Sequence, residues 1–387
     1  MVLSGEKGEL ERKSKEYARR RYALTVLGMF VTIGFLVFTA IYLTLPLKGL
    51  AEGLVTGYYA QIGVYYVGFC LMFLAVSLPL DFYSGYIIEH RYGLSNQTVM
   101  AWAKNQLKSG GLGFAITLPM VEAVYYAIKN YPEYWWIHVG ILFTLISVVM
   151  ARIAPVLILP LFYKSTPIDD EALREALTPL AADAGVTLEG VYKIDMSKDT
   201  KKANAMLAGL GGTRRVILGD TLLEKFSNDE IAVVFAHELG HHVYRHIWKF
   251  LGVAGIAALV GLYIASRVLG EFASELGFAY TYDIATLPLL LLVLGVFAII
   301  VLPLQNYYSR RLEAQCDAYA LEKTRNPAVF IDLMTKLAEN NLADKDPSGI
   351  IEYLFYDHPT IAKRIDMARR WAAGRHVEMG PKISPSP

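Results

Sequence analysis

The sequence predicts an all-α polytopic membrane protein whose helices enclose a polar interior, with a small β-sheet attached. Three observations predict it. Hydrophobic residues make up 54% of the 387 positions and charged residues only 19%, below the roughly 25% of an ordinary soluble domain. Six stretches are apolar over about the 20 residues needed to cross a bilayer. The loops between them alternate between rich and poor in Lys and Arg, as the positive-inside rule requires. Such a chain has ample apolar surface to offset its conformational entropy, which excludes intrinsic disorder. With 37 basic against 36 acidic residues there is no net field to attract nucleic acid, and no nucleic-acid partner is expected. Two cysteines, Cys70 and Cys316, are too few for a disulfide framework.

The spans follow in order. Residues 22–45 and 62–80 carry no charge, and 109–131 is interrupted by Glu122 and Lys129. An intramembrane carboxylate such as Glu122 faces a polar interior rather than lipid. Residues 134–151 open on an aromatic belt, Tyr134-Trp135-Trp136, and 250–266 follow Trp248 and Lys249. Residues 284–304 are again uncharged. The run from Ala154 to Phe162 is apolar but short and holds Pro155 and Pro160; it reads as a re-entrant or cavity-capping segment. The first span exceeds the 7–15 residues of a secretory h-region and has no small-residue cleavage site after it, so it is expected to remain as an anchor.

Seven basic residues precede the first span (Lys7, Arg12, Lys13, Lys15, Arg19, Arg20 and Arg21), whereas loop 46–61 has only Lys48. Continuing the alternation places both termini and both large polar segments, 152–249 and 305–387, on the cytoplasmic side. The expected division is an N-terminal membrane domain of four spans, 1–163, and a second domain, 164–387, with two spans and the polar segments. Apolar residues cluster between turn signals at Gly190–Asp195 and Arg214–Leu218, the expected strands. Gly380 to Pro387 reads as a loose tail.

The chemistry lies in the polar segments. His237-Glu238-Leu239-Gly240-His241 is an H-E-x-x-H motif, which on a helix sets two imidazoles on one face where both can hold Zn²⁺. Glu238 beside them can take a proton from a water. Ser227 and Glu230 form a capping box, Phe226 and Ile231 the matching staple, and Ile231 to Ala236 a good buried helix. The polar part is therefore expected to be zincin-like and helical.

A catalytic zinc needs a third protein ligand and an open position. Glu313 is the best candidate, with Asp317 one turn on to accept the second ring N–H of a ligand His. By spacing alone this pair also reads as a solvated helix face. Cys316 is a further conceivable ligand, disfavoured because it is taken to point away from the Glu313/Asp317 face. His242 and His246 read as surface or packing residues.

The chain resembles the type I CAAX prenyl protease family of integral-membrane zinc endopeptidases over nearly its whole length. The resemblance is carried by Ser77-Leu78-Pro79-Leu80-Asp81-Phe82-Tyr83-Ser84-Gly85 through Glu89, by Tyr92-Gly93-Leu94-Ser95-Asn96-Gln97-Thr98, and by Pro160-Leu161-Phe162-Tyr163-Lys164-Ser165-Thr166-Pro167. Asn204-Ala205, the run Arg214 to Leu223, Glu313-x-x-x-Asp317, and His358-Pro359 with Arg364 match its catalytic part. The resemblance implies that His237, His241 and Glu313 hold zinc. Glu238 would activate water and protonate the leaving amine, and Asp317 would support a ligand from outside. His358 would stabilise the oxyanion. Arg364 would bind the substrate backbone or a carboxylate, or else pair with Asp317. Asn204 would sit on an edge strand where an extended substrate adds. The count of six spans is one below the seven of eukaryotic members, and His242 replaces an aromatic residue that often follows the motif. There is no Lys-Asp-Glu-Leu-type retrieval signal, so the plasma membrane of a prokaryote and the endoplasmic reticulum both fit.

The expected function is zinc-dependent hydrolysis of peptide bonds near the C-terminus of prenylated proteins at the lipid bilayer. The alternatives are the same chemistry applied to membrane-protein quality control, or a non-catalytic membrane scaffold. Zinc binding alone does not require Glu238, which disfavours the last.

Overall fold

A computed structural model describes residues 2–208 and 213–376; the tail from Gly380 to Pro387 lies outside the described residues. Helix α1 (Val2–Phe38) passes through a π-turn at Thr39–Leu43 into α2 (Thr44–Leu54), and α3 (Tyr58–Phe82) passes through another at Tyr83–Ile87 into α4 (Ile88–Arg91). Helix α5 (Val99–Asn130) is followed by α6 (Trp135–Ile153), a π-turn at Ala154–Ile158 and α7 (Leu159–Phe162). Among the described residues these and two later helices supply six rods long and apolar enough to cross a membrane. The chain is an integral, multi-pass membrane protein.

The segment from Ala154 to Phe162 corrects the sequence reading. It is neither re-entrant nor separate but extends the fourth span, giving one rod from Trp135 to Phe162. A proline lacks an N–H and clashes with the carbonyl four residues back. The π-turn widens the helix at Pro155 and lets it continue.

The spans fold for one reason and pack for another. In lipid every backbone N–H and C=O must be satisfied inside the protein, and a helix does this within a single segment. Their inward faces form one core that includes Phe35, Ile62, Tyr65, Tyr125, Ile128, Leu262 and Leu290. Their outward faces leave Phe30, Leu71, Leu145, Ile256 and Ile300 exposed, a belt of apolar surface that only lipid can cover. This core draws on residues from both sides of position 163.

The polar segments build a second core. Strand β1 (Ser165–Pro167), helix α8 (Glu171–Asp183), and strands β2 (Thr187–Ile194), β3 (Ala205–Ala208) and β4 (Thr213–Gly219) come first. The sheet order is β1-β2-β4-β3, with β2 parallel to β4 and both outer pairs antiparallel. The expected strand Gly190–Asp195 overlaps β2 up to Ile194 and Arg214–Leu218 falls within β4; β3 is an outer strand. Then follow α9 (Asp220–Leu223), α10 (Asn228–Val243), α11 (His246–Phe272), α12 (Leu287–Thr324), α13 (Pro327–Asn340), α14 (Gly349–Phe355) and α15 (Ile361–Arg375). Leu177, Val216, Phe235, Leu321, Phe330 and Ala368 meet in the interior of this part.

Two rods, Gly8–Leu54 and Ile284–Thr324, overshoot a bilayer by the most. At 1.5 Å per residue the 38 residues of α12 reach about 57 Å, against about 30 Å of hydrocarbon. The apolar first half can lie in the membrane, and its second half must stand clear of it, carrying Glu313 and Asp317. The rod Gly8–Leu54 likewise overshoots, and its leading turns pack against the polar part. Tyr17 is buried with Tyr92, Leu94 and Leu342, and its hydroxyl donates to Glu89 at 2.6 Å. Lys202 pairs with the same carboxylate at 2.8 Å.

Candidate metal centre

Helix α10 begins where the sequence says it should. The Ser227 N–H donates to Glu230 Oε2 at 2.8 Å and the Glu230 N–H to Ser227 Oγ at 3.3 Å, a complete capping box. Starting there, 3.6 residues per turn bring His237, Glu238 and His241 to the side facing α12 and β3. Gly240 lets the helices close: a Cβ at that position would lie 3.0 Å from the Cα of Cys316.

At this crossing the donors converge. Glu313 places Oε2 3.1 Å from His237 Nε2 and Oε1 3.4 Å from His241 Nε2, and its side chain is 5% exposed. A tetrahedral ion with ligand bonds of about 2.0–2.1 Å separates its ligands by about 3.3 Å, so two imidazole nitrogens and one carboxylate at these spacings fit a transition-metal ion. Sulfur is also within reach: Cys316 lies with ligand atoms of His237 and His241 inside 4.8 Å. This corrects the expectation that Cys316 points away. Three residues along a helix is a rotation of only about 60° from Glu313, and Cys316 is buried against α10.

Each ring is held from behind. His237 Nδ1 lies 2.9 Å from Asp317 Oδ1. Asp317 is fully buried and receives Arg364 Nε at 2.8 Å and Nη2 at 2.5 Å. The Arg364 fork thus pairs with Asp317, one of the partners the sequence left open. Burial by itself would lower the proton affinity of His237, but hydrogen bonds to Asp317 and Glu313 outweigh it and raise its pKa to about 9. The same negative surroundings favour any cation at Nε2. His241 goes the other way, to about 4, because burial outweighs the pull of Glu313.

Glu238 faces the gap beyond the two rings. Burial raises its pKa, partly offset by the nearby Leu207 backbone of β3. Asn204 stands directly before β3, exposed, with Oδ1 accepting from the Ala205 N–H at 2.9 Å. His358 reaches in from the segment between α14 and α15, its Nε2 3.2 Å from Glu313 Oε2 and its Nδ1 2.9 Å from Asp357 Oδ1. Burial lowers and the Asp357 hydrogen bond more than restores its pKa, with a net rise. The structure thus gathers His237, Glu238, His241, Glu313, Asp317, His358 and Arg364 about one point, with Asn204 on the wall of the adjoining cleft.

That cleft has two lobes. One, of about 260 Å³, is lined by Asn204, His237, Glu238, His358 and Arg364. The other, of about 460 Å³, is lined by Glu238, His241, His246, Phe250, Leu251 and Ala254 and leads along α11. The sequence reading took His246 for a surface or packing residue and did not single out Gln315. His246 is buried and sits 3.1 Å from the Nδ1 of His241, and Gln315 is its other partner. Nothing in their spacing marks them, since contact depends on a reversal of the chain at Arg245.

Comparison with known proteins gives matches along most of the chain. Residues 167–372 match the model of peptidase family M48, and residues 7–164 match one described as the CAAX prenyl protease N-terminal domain with five membrane helices. Within 7–164 the described residues form four spanning rods. The chain is 33% identical to an uncharacterised metalloprotease, YhfN, of Bacillus subtilis, covering 76% of this chain and 70% of the relative. It is 32% identical to a CAAX prenyl protease 1 homolog of Arabidopsis thaliana (74% and 68% covered) and 29% identical to the CAAX prenyl protease 1 of Saccharomyces cerevisiae (75% and 68%). The crystal structure of S. mikatae Ste24p superposes with a TM-score of 0.84 at 24% identity, over 93% of this chain and 89% of that one.

Proposed function

Because the chain belongs to peptidase family M48 and is a metalloendopeptidase of the membrane, we propose that its metal is zinc, held by His237, His241 and Glu313. The observation that carries this reading is the convergence of one carboxylate on two imidazoles, both Nε2 atoms meeting the two oxygens of Glu313 at 3.1 and 3.4 Å. Glu313 is preferred to Cys316 because its two oxygens address both rings at once.

When bound, the metal supplies polarisation of the scissile carbonyl and a lowered pKa for the attacking water. The rest falls to the protein. Glu238 lies beside the rings without a metal-holding role and is the base that takes the proton from water and returns it to the leaving amine. Its raised pKa brings it nearer to the operating pH than an ordinary carboxylate. His358, held by Asp357, is placed to donate to the oxyanion that develops on the carbonyl. Asp317 keeps a proton on His237 Nδ1, leaving Nε2 free, and Arg364 keeps Asp317 ionised.

The substrate is a peptide or protein. Leu207 of β3 and Glu238 line one pocket together, and β3 is an outer strand of the sheet, which supports the free edge of this strand bordering the site. An extended chain laid along it gains main-chain hydrogen bonds, with Asn204 at the start of that edge. Arg364 contributes indirectly through Asp317. The larger lobe, walled by Ile247, Phe250, Leu251 and Ala254, suits an apolar group, and relatives carry the name CAAX prenyl protease. Both support cleavage near the C-terminus of prenylated proteins. The basic segment before the first span supports a cytoplasmic position for the site.

Mass spectrometry of a farnesylated C-terminal CAAX peptide, incubated with the purified protein, tests this. Release of the last three residues, lost with a chelator and in Glu238→Gln, is the expected result. Chelator-sensitive cleavage of unprenylated membrane segments instead would move the substrate class to damaged membrane proteins. No cleavage of either would overturn the reading.

A further inference from the structure

The two candidate metal-binding imidazoles are backed by chemically different partners. Behind His237 stands an anion, Asp317, itself gripped by Arg364. Behind His241 stands a second imidazole: His246 Nδ1 is 3.1 Å from His241 Nδ1, and His246 Nε2 is 3.2 Å from Gln315 Oε1. The ring of His246 has no solvent exposure, so these contacts are its means of satisfying both nitrogens.

We propose that His246 and Gln315 form an uncharged relay that positions His241 and fixes which of its nitrogens faces the metal. The proposal rests on the reading that His241 is a ligand. A ligating Nε2 must be free of its proton, so His241 carries hydrogen on Nδ1 and donates to His246 Nδ1. His246 then carries its own hydrogen on Nε2. The carbonyl oxygen of Gln315 accepts it, and an amide oxygen has no proton to offer in return. One tautomer of each ring satisfies every contact. The Cys316 thiol, 3.5 Å from the same His246 Nδ1, is a weaker donor at longer range and does not disturb that order.

The backbone is shaped to deliver the ring. Arg245 connects α10 to α11 in the left-handed region, at φ 54° and ψ 40°, where a non-glycine residue is sterically strained. This reversal turns the first residue of α11 back against the motif helix.

The reason for an uncharged partner follows from the local charge. Glu238, Glu313 and Asp317 already place three carboxylates around the proposed metal position, balanced in part by Arg364. A further anion behind His241 would strengthen binding but reduce the effective positive charge available to polarise a carbonyl. An uncharged relay orients the ring and leaves that charge in place.

Competition against a chromophoric zinc chelator, with the detergent-solubilised full chain, tests the relay without relying on turnover. His246→Phe removes the acceptor and is expected to weaken zinc affinity about 10–100-fold. His246→Gln returns a carbonyl acceptor and should recover most of that loss. Gln315→Met, close to isosteric, should weaken affinity by a smaller factor, and Gln315→Glu should bind at least as tightly as the parent. Equal affinities for His246→Phe and His246→Gln, with Gln315→Met unchanged, would overturn the relay even if Glu313→Ala loses zinc as expected. Full zinc binding by Glu313→Ala would instead overturn the ligand reading beneath it.

Discussion

The backbone of Cys316 rests against Gly240, so closely that a Cβ on Gly240 would meet the Cys316 Cα at 3.0 Å and its Cβ at 3.2 Å. Two helices can approach to this distance only where one presents no side chain, and here the approach brings α10 and α12 into register for a shared ion. Gly240→Val is therefore expected to push the helices apart. The neighbour is backbone and cannot rotate away, and overpacking of this kind costs about 1–3 kcal/mol. Zinc content of the purified variant and its thermal unfolding in detergent should both fall. Parent-like zinc content would show that the close approach is not needed.

Arg364 and Asp317 act as a unit. Asp317 has no exposure, and a buried carboxylate deprived of its partner costs about 3–5 kcal/mol. Arg364→Met alone should be strongly destabilising. The double variant Arg364→Met/Asp317→Asn should be less so, because the stranded charge is removed with its partner. Apparent melting temperatures of the two variants, compared in one detergent, check the order; a double variant no more stable than the single would refute the coupling.

The donor set is separable by substitution. Glu313→Ala should strip most of the zinc, whereas Cys316→Ser should keep it. Glu238→Gln should keep zinc and reduce turnover about 10²–10⁴-fold, the usual weight of a general base. Chelation should abolish turnover in the parent, and added zinc restore it. Elemental analysis beside peptide cleavage separates these outcomes, and zinc loss in Cys316→Ser would reverse the assignment.

The tie between the first helix and the polar part predicts a third class of variant. Glu89 is 13% exposed and joins Tyr17 at 2.6 Å to Lys202 at 2.8 Å. Glu89→Gln removes the charge shared by both partners and should cost about 1.5–3 kcal/mol, as for hydrogen bonds to charged groups. Tyr17→Phe should cost less. Limited proteolysis in detergent, with cuts expected to rise in the loop that holds Lys202, measures it; unchanged cutting in Glu89→Gln would count against the tie.

What could be read from the chain was local. The start of α10 was legible because the cap, the staple and the apolar run act within a few residues of Ser227. The six spans were legible because the requirement imposed by lipid acts along a single segment. Glu313 was ambiguous from spacing alone, because an acidic pair one turn apart serves a solvated surface equally well. The placement of Cys316 depended on how two helices cross, and His246 on one left-handed residue; neither leaves a mark on hydrophobic periodicity. The continuation through Pro155 was hidden because a proline normally ends a helix, and only a change of hydrogen-bond pattern lets it pass.

One contact reaches furthest in consequence. Tyr22 on α1 bonds through its hydroxyl to that of Tyr356 at 2.7 Å, two residues before His358, and the Tyr356 carbonyl is held by Arg310 of α12. The segment presenting His358 is therefore anchored to the transmembrane scaffold itself. A fragment beginning after the fourth span would lack the Tyr22 anchor, and a detergent that lets α1 drift would loosen it while α10 and its histidines stayed folded. Such a preparation would be well shaped by circular dichroism, loaded with zinc, and silent toward peptide.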